Sequence, residues 1–181
     1  MTFPLDGGSP HAQNRPAAHR LTREQEAIWL NDALSEGRSC YTMLWAHRLR
    51  GDVDPDAVEG ALTDVIHRYE SLRSRFLMAD GTPVQQVAEA SCRPVNRADC
   101  AEPELGERLT ALAAEPLDPA DGPLRPTLLR LADDDWVLAV LLHHLVIDDW
   151  SLSLLNRELS HFYRARRRPD QPDSRPEARP A

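Results

Sequence analysis

Residues 41–50 alternate along the chain. Tyr41, Met43, Trp45, His47 and Leu49 fall on one face, and Arg48 and Arg50 on the other. A period of two predicts a half-buried strand. The pattern then changes to a helical one: Val58, Ala61, Leu62, Val65 and Tyr69 lie along one stripe, preceded by Asp54 and Pro55, which suit the N-cap and first helical positions. Upstream, Thr22 and Gln25 form a capping box, and Ala27, Leu30 and Leu34 supply the apolar spacing of a first helix that Gly37 would stop. Short strands are expected at residues 72–78 and 84–87, joined by the turn Ala79-Asp80-Gly81-Thr82, with a third at residues 93–96.

Leu105, Leu109 and Leu112 mark another amphipathic helix, and residues 117–126 form a loop rich in proline and aspartate. Strands follow at residues 127–132 and 136–142. The second runs as WVLAVLLHH without alternation, as expected of a central strand covered on both faces. Asp148 or Asp149 can then cap a helix whose stripe is Leu152, Leu155, Leu159 and Phe162. Interleaved strands and helices predict an α/β fold with a mixed sheet.

Length and composition narrow the picture. The 181 residues fit one domain, and a formal charge of −8 disfavours nucleic acid or an anionic membrane as partner. Cys40, Cys92 and Cys100 show no CxxC pair or metal spacing and read as packing residues of a reduced, cytoplasmic protein. The first residues lack the apolar core of a signal peptide, and no apolar run approaches the roughly 18 residues that span a bilayer. Proline gathers near both ends, so residues 1–19 and 166–181 are expected to be flexible, leaving a folded core at 20–165. The basic run at residues 164–168 reads as a solvated helix end.

The chemistry concentrates in residues 143–151, HHLVIDDWS. Neighbouring residues on a strand point to opposite faces, so one of His143 and His144 should face a cleft and the other the core. An imidazole titrates near neutral pH and can serve as a general base in amine or thiol acylation. The plainer reading, two satisfied polar groups closing a buried strand, stands beside it with equal weight. Opposed faces argue against a metal site, and the Gly-rich phosphate loop, GxSxG and HExxH patterns are all missing from the sequence.

HHLVIDDWS resembles the HHxxxDGWS motif of nonribosomal peptide synthetase condensation domains, a variant of which marks chloramphenicol acetyltransferase and its relatives. LTREQEAIWL at residues 21–30 resembles the first motif of that family. RYESLRSRF at residues 68–76 resembles the second, RHExLRTxF, and residues 115–131 resemble the connection into the strand before the histidines. The resemblance implies a chloramphenicol acetyltransferase-like half-domain, a two-layer sandwich with helices packed on one side of a mixed sheet.

In that frame the site is the motif His143, His144 and Asp148. His144 would face a channel and assist amine attack on a thioester tethered by phosphopantetheine to a peptidyl or acyl carrier protein, with no cofactor bound directly. His143 and Asp148 would be mainly structural, and Asp149, Trp150 and Ser151 would line the channel. Family members hold this turn with an Asp–Arg pair, for which Arg68 and Arg73 are the candidates.

Three positions depart from the family pattern: Asp149 replaces glycine, Ala27 an arginine and Tyr69 a histidine. A complete condensation domain has two lobes, and the resemblance reaches only the N-terminal one. Activity would therefore call for a second lobe or self-association. The alternative is a non-catalytic docking module that recruits a carrier protein or a tailoring enzyme.

Overall fold

The computed structural model describes residues 18–35, 41–89 and 94–168. Its strands are β1 (Ala18–Arg20), β2 (Thr42–Arg50), β3 (Ser74–Ala79), β4 (Thr82–Val87), β5 (Asn96–Asp99), β6 (Leu124–Ala132) and β7 (Asp135–His143). The helices are α1 (Arg23–Ala33), α2 (Pro55–Arg68), α3 (Leu105–Ala113) and α4 (Asp149–Arg167). A larger sheet runs β2-β7-β6-β5, antiparallel except for the parallel β5–β6 pair, and a smaller one runs β1-β4-β3.

The apolar run of β7 places it between β2 and β6, with every residue from Val137 to His143 buried. Its alternate side chains feed two cores. Leu138, Val140 and Leu142 meet Val58, Leu62 and Val65 of α2 and Leu155 and Leu159 of α4, whereas Val137 and Ala139 meet Leu112 of α3. The α/β class is as expected, but α3 covers the opposite face of the larger sheet. The period of its leucines could not say which face they would cover.

Helix α2 starts as its sequence dictates. Asp54 accepts hydrogen bonds from the amides of Asp56 and Ala57, both at 3.0 Å, and Pro55 opens the helix. Six residues of α2 are buried, and fully burying a side chain such as Leu62 contributes about 1.5–3 kcal/mol. Between β3 and β4, Asp80 and Gly81 take φ of 49° and 74°, the two left-handed residues of a tight hairpin. Leu72 and Arg73, expected in that strand, belong instead to a 3₁₀ turn at Glu70–Arg73.

Strand β6 begins three residues before the expected position 127, within the predicted loop, and carries Pro126 opposite Val140. Proline is tolerated there because β5 pairs only from Thr127 onward, which leaves the missing donor of Pro126 beyond the neighbouring strand. Strand β1 extends the order back to Ala18, and α4 runs through Arg167. Residues 1–17 and 169–181, also expected to be flexible, lie outside the described set, as do Gly37, Cys40 and Cys92. Cys100 is buried, as a packing residue should be. No described helix is long and apolar enough to cross a membrane.

Candidate functional site

The two histidines part where β7 ends. His143 is its last residue and its side chain is fully buried. The ring is gripped from both sides, with Nδ1 accepting the Leu145 amide at 3.2 Å and Nε2 lying 3.3 Å from a carboxylate oxygen of Asp32 on α1. An Nδ1 that accepts has no proton, so Nε2 carries it and donates to Asp32. Burial pushes the His143 pKa below the usual imidazole value, against the hydrogen bond and charge of Asp32. The ring of His143 is thus sealed from solvent within the core.

His144 opens the turn and is only half-buried. Its amide donates to the Tyr41 carbonyl at 2.7 Å, which ties the turn to the start of β2. Ring Nδ1 lies 3.3 Å from the Ile147 carbonyl oxygen. A carbonyl only accepts, so Nδ1 bears the proton and Nε2 keeps its lone pair. In that neutral tautomer Nε2 is the nitrogen able to accept a proton.

Asp148 is the N-cap of α4, where its Oδ1 accepts the Ser151 amide at 2.8 Å. Hydrogen bonds from the Ser151 side chain and backbone hold its carboxyl below the usual carboxylate range. The expected arginine partners lie elsewhere. Arg68 is 3.4 Å from the buried carboxylate of Glu158 on α4, and Arg73 pairs with Glu70 at 3.1 Å and donates to the Ala88 carbonyl at 2.6 Å. Asp148 therefore fixes the turn through the end of a helix. A strong N-cap needs only a short side-chain acceptor, and Asp148 already has its bond.

Asp149 and Trp150 occupy the exposed first turn of α4, Trp150 at 75% of its free accessibility. The charge of Asp149 is favourable at a helix N-terminus, so this departure from glycine is compatible with the local fold. Ser151 is half-buried and lines a cavity of about 70 Å³ with Val146, Ile147 and Tyr69. Tyr69 itself caps the end of α2.

Sequence reasoning missed Asp32 and the second role of Gln25. The capping box formed as expected, but Leu30 and Leu34 are 55% and 70% exposed. The inward face of α1 is instead Gln25, Ile28, Trp29 and Asp32, a stripe of helical spacing that mixes polar and apolar residues. An apolar count overlooks such a stripe.

Two sheets, helices on both faces of the larger one, and a double-histidine turn beyond its central strand define a lobe of the chloramphenicol acetyltransferase-like class. A model of the condensation domain matches residues 17–178, and the chain belongs to that family. It is similar to the isonitrile lipopeptide synthase of Mycobacterium tuberculosis, 37% identical over an alignment of 171 residues that covers 91% of this chain and 7% of the relative. It also resembles phosphinothricin tripeptide synthetase PhsB of Streptomyces viridochromogenes, 34% identical over 91% of this chain and 15% of the relative.

Among solved structures, the X-domain in its complex with OxyB from teicoplanin biosynthesis superposes with a TM-score of 0.80 at 32% identity. That match covers 91% of this chain and 36% of the other. The starter condensation domain of rhizomide synthetase shares the fold, with a TM-score of 0.78 at 22% identity over 87% of this chain and 40% of its own. The chain thus spans well under half of each of these proteins.

Proposed function

We propose that this chain is an acyl-transferring condensation lobe, in which the Nε2 lone pair of His144 assists attack of an amine on a thioester carried by phosphopantetheine on a carrier protein. The observation that carries this reading is the Nδ1 contact of His144 with the Ile147 carbonyl. It leaves the basic nitrogen of a half-buried ring directed away from its own turn. His143 and Asp148 serve the same end as supports, one inside the core and one at the start of α4. The catalytic cleft is completed by a second lobe, in the same polypeptide or in a partner.

The test is His144→Ala, assayed for amide formation between loaded carrier proteins with the completing lobe present. A positioned base contributes about 10²- to 10⁴-fold, so turnover should fall by about that factor while carrier binding is kept. Unchanged turnover in the alanine variant would remove His144 from the chemistry.

A second reading is favoured by one observation: the 32% identical X-domain is found in a complex with OxyB. On that reading the lobe docks a tailoring enzyme or carrier protein, and the exposed Asp149 and Trp150 stand where a partner could meet them. Pull-down of such a partner by the wild type and by His144→Ala alike, with no acyl transfer by either, selects docking.

A further inference from the structure

Helix α1 holds the peptide of Leu145 at both ends. Its amide donates to Nδ1 of His143, whose Nε2–H donates to Asp32, and its carbonyl accepts from the Gln25 side chain at 3.1 Å. The Leu145 side chain packs with Leu21 and Phe76, and Ile28 and Trp29 of α1 close over them. The His143 carbonyl accepts the Val146 amide at 3.1 Å, which completes the turn and delivers the Ile147 carbonyl to the His144 ring. Everything that sets the orientation of His144 after its own amide therefore passes through a segment that α1 grips.

The grip depends on one proton. Turned to its other tautomer, His143 would present an N–H to the Leu145 amide, two donors face to face, and a bare Nε2 to the Asp32 carboxylate, two acceptors face to face. Asp32 is suited to prevent this. It is mostly buried, and its second oxygen, Oδ1, has no hydrogen-bond partner among the described residues. A carboxylate in that position strongly favours an N–H opposite it.

We infer that Asp32 is a positioning residue, fixing the His143 tautomer and through it the Leu145 turn that sets the tautomer and direction of His144. The importance of His144 rests on the function proposed above. The coupling does not, because it is a property of the two rings in the folded chain.

The test is ¹⁵N NMR of the histidine rings in the full chain near pH 8. The wild type should show His143 as the Nε2–H tautomer and His144 chiefly as Nδ1–H. Asp32→Ala should scramble His143 and lower the Nδ1–H share of His144 by about half or more. Asp32→Asn, which keeps an acceptor oxygen, should restore both, and Leu30→Ala on the exposed face of α1 should change neither. Should the alanine variant fail to fold, Asp32→Ser, polar but too short to reach the ring, is read in the same way.

A folded Asp32→Ala or Asp32→Ser variant in which His144 keeps its wild-type signals would overturn the inference, whether or not His143 responds. Where acyl transfer is measurable, Asp32→Ala should lower kcat about tenfold or more with KM held within about twofold. A wild-type chain that shows the expected tautomers and transfers no acyl group would remove the proposed function and leave this coupling standing.

Discussion

Helices α1 and α2 are of similar length but do opposite work. α2 buries six residues against the larger sheet, while no residue of α1 itself is fully buried. α2 is held by apolar area. α1 is held by its capping box, the Gln25 and Asp32 contacts, and the packing of Leu21, Ile28 and Trp29. The first kind of attachment stabilises a fold and tolerates imprecision. The second rests on a few directional bonds that fix particular atoms, those behind the histidine turn among them.

The contrast breaks most readily at α2. Leu62→Ala, at a site 2% exposed, should cost about 2–5 kcal/mol, read as a lower midpoint in urea denaturation with an unchanged slope. A loss below about 1 kcal/mol would mean that α2 is not the stabilising helix.

A smaller effect follows from His143, whose pKa is lowered by burial. Below about pH 6.5 the unfolded chain takes up a proton that the buried ring resists. The stability contribution is therefore full above that pH and declines as the pH falls through 6 toward 5. A melting-temperature profile should show this decline in the wild type and lose it in His143→Gln. A decline of equal size in the variant would place its origin elsewhere.

The smallest effect is expected on the outer face of α1. Leu30→Ser should change stability by no more than about 0.5 kcal/mol, because the residue is already solvated. A loss above about 1 kcal/mol would reveal that this face is covered in solution.

The same contrast explains what was legible in the sequence. The stripe of α2, the N-cap at Asp54, the Asp80-Gly81 hairpin and the central position of β7 were readable because apolar periodicity and local turn chemistry decide them. That one of His143 and His144 would face the core followed from strand alternation; His143 is buried and His144 half-buried. What stayed hidden depends on contacts between distant parts of the chain. Asp32 meets His143 across 111 positions, and Arg68 finds Glu158 instead of Asp148. No local pattern encodes either choice. The face that α3 covers was hidden for the same reason.

The register of the larger sheet also carries a consequence for synthesis. β2 has one neighbour in that sheet, β7, and Thr42 stands opposite His143, with most of the described chain between them. As the chain leaves the ribosome, β2 waits without its partner until nearly the whole lobe has emerged, and loop closure over such a distance slows assembly. The histidine turn, at the far end of β7, forms only as that sheet closes, so any nascent chain that has acquired this turn has already paired its larger sheet.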